Sequence, residues 1–81
     1  MGEMKIKTEV AGRVSALPLA VGAAVKAGDD IAIVEAMKME IPVSSPASGT
    51  IKALLVAVDE MVEEEQALVI VATTPGELSS A

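Results

Sequence analysis

Two stretches read alike when one is laid on the other: GRVSALPLAVGAAVKAGDDIAI, residues 12–33, and GTIKALLVAVDEMVEEEQALVI, residues 49–70. At this offset Gly12 meets Gly49, Val14 meets Ile51, Ala16 meets Ala53 and Leu17 meets Leu54. Further along, Val21 meets Val58, Val25 meets Val62, Ile31 meets Leu68 and Ile33 meets Ile70. Two copies are too few for a solenoid, which needs about three repeats to bury its faces. Two halves related by a pseudo-twofold axis, each covering the other's apolar face, are the natural alternative.

Within each copy the period is that of strands. Arg13 to Leu17 and Thr50 to Leu54 are short runs that follow a glycine, and Ile31 to Val34 is rich in β-formers and follows the turn signal Ala27-Gly28-Asp29-Asp30. Met39 to Val43 reads as a strand whose Pro42 suits an edge or an end. Ser44 to Gly49 is a loop by composition. Ala53 to Gln66 has helix-forming residues, but the matching Ala16 to Asp29 carries Pro18, Gly22 and Gly28, which argues for strands and turns in both. The expected fold is all-β, a flattened sandwich of two quasi-symmetric four-stranded halves. Residues 6–72 form the expected domain, with 1–5 and 73–81 as loose ends. Ile33 and Ile70 are expected in its core, and Gly12 and Gly49 at matching points where backbones approach closely.

Composition narrows the function. The 81 residues allow one small domain, and a chain of this size buries only about 60–65% of its unfolded surface. Its apolar residues are 14 Ala, 11 Val, 6 Ile, 6 Leu and 5 Met, with no Phe, Tyr or Trp, so the core is aliphatic. Without Cys or His there is no disulfide, thiolate zinc site, imidazole base or Ser–His–Asp system, and a self-contained enzyme is a poor fit. Asp29-Asp30 lacks the ligand spacing of a calcium loop, so no metal site is expected. A net charge of −6 and the absence of aromatic stacking platforms exclude nucleic acid as a partner. No apolar run reaches the roughly 18 residues of a membrane span. The N-terminal residues lack a secretory pattern, and Ile6 stands where a myristoylation signal has Ser or Thr, so the expectation is a cytoplasmic protein. Asp59, Glu60 and Glu63 to Glu65 read as a solvated acidic surface, with steering toward a basic partner as the sharper alternative.

Between the two copies lies Glu35-Ala36-Met37-Lys38-Met39-Glu40, placed as a tight hairpin at the junction of the halves. Turns favour Gly, Asn, Asp and Pro, and two methionines there leave apolar surface in water. On residue types alone, the plain reading is a solvated lysine whose Met neighbours fold back on the core.

The segment EAMKMEIP, residues 35–42, resembles residue for residue the attachment site of biotin carboxyl carrier proteins and biotinyl domains. The resemblance extends over roughly residues 6 to 72. It implies a barrel-sandwich hybrid whose lysine sits on the hairpin joining two quasi-symmetric halves. It further implies biotin joined to Lys38 through an amide, with Glu35, Ala36, Met37 and Met39 read by a biotin protein ligase. The implied partners are that ligase, a biotin carboxylase and a carboxyltransferase, and the domain itself is expected to be monomeric and non-catalytic.

Two departures from the family pattern bear on structure. Related carriers often keep glycine in the matching turns of both halves, whereas Gly22 and Gly28 here face Asp59 and Glu65. Since Glu tolerates left-handed backbone poorly, the second-half turn is expected to differ in shape. The span from Arg13 to Val25 is too short for the protruding thumb of some carriers, so the chain resembles the small stand-alone thumbless kind.

Three other protein classes share part of this pattern. A lipoyl-type acyl carrier shares the fold and the hairpin lysine, but its lysine is usually flanked by Asp and Ala, so Met on both sides favours biotin. A cofactor-free barrel-sandwich interaction module has no reason to keep Met-Lys-Met at the tip. An acyl carrier protein needs an Asp-Ser pair for phosphopantetheine, and this sequence has none.

Overall fold

The computed structural model describes residues 2–73, and every regular element among them is a strand. In chain order these are β1 Gly2–Lys7, β2 Gly12–Ala16, β3 Ala24–Val25, β4 Asp30–Ala36, β5 Met39–Ser44, β6 Gly49–Leu54, β7 Met61–Val62 and β8 Ala67–Thr73. One antiparallel sheet has the order β1-β8-β6-β3, the other β5-β4-β2-β7. Exchanging β1 with β5, β2 with β6, β3 with β7 and β4 with β8 turns one order into the other. The repeat in the sequence is therefore a pseudo-twofold axis in space.

The expected all-β sandwich of two quasi-symmetric halves is present, and its halves interleave. Each sheet takes two strands from residues 2–36 and two from residues 39–73, so neither half owns a sheet. The physical reason is antiparallel pairing of β2 with β4 and β6 with β8. Each of these pairs is then flanked by two strands of the other half, β5 and β7 in one sheet, β1 and β3 in the other.

The core is built from symmetry mates. Val14 and Ile51, Val25 and Val62, Ile31 and Leu68, Ala32 and Val69, and Val34 and Val71 are all buried. Burying each large aliphatic side chain contributes about 1.5–3 kcal/mol. Ile33 and Ile70, expected among them, are only half-buried. Alternation is interrupted by bulges, between Asp30 and Ala32 in the β4–β5 ladder and between Val14 and Ala16 in β2–β4. Ile31 and Ala32 are consequently both buried, and Ile33 is turned outward.

Turns obey the same axis. The buried Thr8 hydroxyl donates to the Val10 carbonyl at 2.8 Å, and its mate, the Ser45 hydroxyl, donates to the Ala47 carbonyl at 2.6 Å. Gly28 N–H donates to Ser45 O, and the mate Glu65 N–H donates to Thr8 O, both at 2.8 Å. Asp59 and Glu65 hold φ of 76° and 70°, against 93° and 94° at Gly22 and Gly28. The second-half turns thus keep the shape of the first, contrary to expectation, because these tertiary hydrogen bonds impose it. A Cβ built on Gly12 would collide with the Glu35 carbonyl, and one on Gly49 with the Ala72 carbonyl, which accounts for both glycines.

Residues 2–5, expected as a loose end, belong to β1. They pair with β8 from Gly2↔Thr73 to Lys5↔Ile70, and Met4 packs on the core. Thr73 closes β8, while residues 74–81 of the expected tail lie outside the described residues.

Candidate functional site

The β4–β5 ladder runs through Val34↔Ile41 and Glu35↔Glu40 to Ala36↔Met39. Only Met37 and Lys38 remain for the loop, and both have positive φ, 53° and 66°. A two-residue loop with positive φ at both positions is the type I′ turn, whose usual residues are Asn-Gly. Left-handed backbone costs an ordinary residue about 1–2 kcal/mol, so the ladder on either side holds Met and Lys where neither settles by preference. Pro42 occupies β5 because β5 is a sheet edge, where a missing N–H is tolerated.

The turn points its side chains into solvent. Met37 is 93% exposed and Met39 63%, so the methionines do not fold back on the core as the plain reading supposed. Lys38 is exposed, and no ion pair holds it among the described residues. Ala36 is half-buried at the base of the turn. A groove of about 310 Å³ lies between Lys7 to Glu9 and Ile41 to Ser44, and none of residues 35–39 lines it. The arrangement is a presented amine on a rigid hairpin.

One row below the turn, Glu40 of β5, Glu35 of β4, Arg13 of β2 and Met61 of β7 lie side by side across the sheet. Their neighbours Val14, Val34 and Val62 are buried, which puts this row on the outer face. Arg13 Nη2 donates to Glu35 Oε1 at 2.6 Å, and Nη1 donates to Asp59 Oδ1 in the β6–β7 loop. The hydrogen bond and charge of Glu35, with those of Asp59 behind them, raise the guanidinium's pKa above its ordinary value, and Arg13 stays charged. Glu35 and Glu40 face each other directly, a like-charge pair that is unfavourable by itself.

All five residues singled out in the sequence, Glu35, Ala36, Met37, Lys38 and Met39, thus sit on this hairpin. Sequence reading missed Arg13 and the partner role of Asp59. The repeat held the signal: the residues at the matching offset to Arg13, Glu35 and Asp59 are Thr50, Ala72 and Gly22, all uncharged.

Comparison with known proteins agrees with this geometry. A family profile described as "Biotin-requiring enzyme" matches residues 3–71. The mitochondrial methylcrotonoyl-CoA carboxylase subunit alpha of Dictyostelium discoideum is 37% identical over 60 residues, covering 74% of this chain and 9% of that protein. The crystal structure of Kluyveromyces lactis urea carboxylase matches with a TM-score of 0.84 and 32% identity, over 89% of this chain and 6% of that one. A single-chain, multi-domain long-chain acyl-CoA carboxylase matches with a TM-score of 0.84 and 27% identity, over 95% and 8%. The chain therefore spans less than a tenth of the length of these relatives. Hairpin, interleaved sheets and sequence agree that the chain belongs to the biotin-requiring enzyme family, as a biotinyl domain of the kind found in biotin-dependent carboxylases.

Proposed function

We propose that Lys38 is the site of covalent biotin attachment and that the domain is the non-catalytic carrier of a biotin-dependent carboxylase. The observation that carries this reading is the two-residue turn, which places an exposed lysine at the tip between two exposed methionines. An amide from Lys38 Nζ to the biotin carboxyl group fits the geometry. The amine stands clear of the sheets on a four-carbon stem, so a ligase can enclose it and the product can reach successive sites.

Bound biotin supplies a ring nitrogen that carries a carboxyl group from a biotin carboxylase to a carboxyltransferase. The protein's own residues supply presentation and reach. The hairpin fixes where the stem begins, and tethering raises the effective concentration of the carried group at each partner. Glu35, Ala36, Met37 and Met39 form the surface that the ligase reads around the amine. None of these tasks needs an acid or base from this chain, in keeping with the absence of His and Cys.

Two measurements test the reading. Replacing Lys38 with Arg removes the acylatable amine and is expected to abolish biotinylation while the β-sheet circular-dichroism spectrum stays unchanged. The biotin-loaded wild-type chain, mixed with a biotin carboxylase, ATP and labelled bicarbonate, is expected to acquire label. Biotin on the Arg variant, or a loaded chain that never takes up label, contradicts the proposal.

A further inference from the structure

The pseudo-twofold axis supplies an internal control. Each position near the hairpin has a mate in the other sheet, held by the same backbone bonds, where no hairpin turn exists. The row Glu40–Glu35–Arg13–Met61 has as its mate the row Glu3–Ala72–Thr50–Ala24. The backbone around the two rows is the same. Val14 N–H donates to Glu60 O and Ile51 N–H to Ala23 O, both at 2.9 Å, while Asp59 N–H donates to Val14 O at 2.7 Å and Gly22 N–H to Ile51 O at 2.8 Å.

Thr, Ala and Gly therefore suffice at these three places for the fold to form. At the hairpin end the same places carry Arg13, Glu35 and Asp59, joined as an ionic triad. Asp59 even occupies a positive-φ position that its mate fills with glycine, so a strained residue is kept where its carboxylate meets Arg13.

The triad acts on a residue of the attachment segment. The Arg13 fork spans two elements, with Nη2 on Glu35 and Nη1 on the Asp59 carboxylate of the β6–β7 loop. Arg13 takes Glu35 Oε1 and leaves Oε2 without a described protein partner. Without the guanidinium on its β2 side, Glu35 would face the like charge of Glu40 across the ladder with no cation beside it to hold its carboxylate. We propose that Arg13, anchored by Asp59, is a positioning residue: it fixes the Glu35 carboxylate, with one oxygen free, for a hydrogen-bond donor of the ligase that biotinylates Lys38. This rests on the reading of Lys38 given above.

The test uses the mate residues as substitutions, because the fold already accepts them at matching positions. Arg13→Thr and Asp59→Gly are compared with wild type as substrates of a biotin protein ligase in steady-state biotinylation. Lys52→Thr serves as the charge control, since it also removes one positive charge but breaks the Glu3–Lys52 pair of the other sheet. Arg13→Lys restores charge without the two-pronged fork.

The expected result is a KM for the Arg13→Thr chain raised about two- to fivefold, the scale of an exposed ion pair. A smaller rise is expected for Asp59→Gly, an intermediate value for Arg13→Lys, and wild-type KM for Lys52→Thr. The kcat stays constant throughout, as do the circular-dichroism spectra. Wild-type KM in both Arg13→Thr and Asp59→Gly overturns the proposal, and so does an equal rise in Lys52→Thr, which would mark bulk charge as the cause. A fall in kcat at constant KM overturns it as well. If wild type itself takes no biotin, the reading of Lys38 fails and this proposal fails with it; a biotinylated wild type with unchanged variants sinks only the positioning role.

Discussion

Four described non-glycine residues hold positive φ: Met37, Lys38, Asp59 and Glu65. They fall into two kinds. Met37 and Lys38 make up the tip of the hairpin, where the ladder fixes the loop length and the attachment segment fixes the residues. Asp59 and Glu65 stand where the mates are Gly22 and Gly28, and tertiary hydrogen bonds hold them in place. Glu65 makes no side-chain hydrogen bond among the described residues, whereas Asp59 meets Arg13. Glu65→Gly is therefore expected to stabilise the fold. Relief of left-handed strain, about 1–2 kcal/mol, outweighs the added freedom of glycine in the unfolded chain, about 0.5–1 kcal/mol. The melting temperature should rise by roughly 2–5 °C, and a lower one contradicts this account of the turn. At this scale the sequence was half legible. Local preference argued against left-handed Glu65, while the long-range partner that overrides it, Thr8 O, becomes visible only once β1 is placed.

Among the strands, β4 and β8 carry the clearest lesson. Both read as apolar runs, with Ile33 and Ile70 among the expected core positions. A bulge beside Asp30 in the β4–β5 ladder and its mate beside Lys7 in β1–β8 break the alternation, which leaves Ile31 and Leu68 fully buried and Ile33 and Ile70 half-exposed. Bulges are invisible to a count of every second residue. Ile31→Ala and Leu68→Ala are each expected to cost about 2–5 kcal/mol in chemical denaturation. Ile33→Ala and Ile70→Ala should cost clearly less, and equal losses at all four sites would mean the register is wrong. The two capping hydroxyls give a second test. Replacing Ser45 with Ala removes the acceptor for Ala47 N–H and the donor to Ala47 O, at a site that is 1% exposed. The expected loss is about 1–3 kcal/mol, the cost of leaving buried backbone groups unpaired. A variant as stable as wild type would show that water replaces the hydroxyl.

For the whole molecule, the repeat read from the sequence is the symmetry of the fold, because matching segments of the two copies occupy matching places in the two sheets. The interleaving was not legible, since pairing partners are set by chain path and not by composition. Symmetry also relates the hairpin to the other end of the described chain. Ala36 and Met39 face each other across the Met37–Lys38 turn, and their mates Thr73 and Gly2 face each other with no turn between them. Thr73 Oγ1 donates to Gly2 O at 3.1 Å across that gap. A circular permutant that begins at Lys38, ends at Met37 and joins Thr73 to Gly2 through Asn-Gly is therefore expected to fold, with a cooperative melt and an unchanged β-sheet spectrum. A permutant unfolded at room temperature would show that the covalent hairpin, and not the paired strands, holds the halves together.

The symmetry also shows what has been added to the fold. Around the lysine, the attachment segment and the Arg13–Glu35–Asp59 triad depart from their mates, and both departures lie at one end. The attachment of biotin to Lys38 is the claim on which the functional account stands, and intact mass followed by peptide mapping tests it most directly. After co-expression with a biotin protein ligase and, separately, a lipoyl ligase, the account predicts one biotinyl increment on Lys38 and none on Lys5, Lys7, Lys26 or Lys52. A biotinyl increment on another lysine, a lipoyl increment alone, or no increment with either ligase would contradict it.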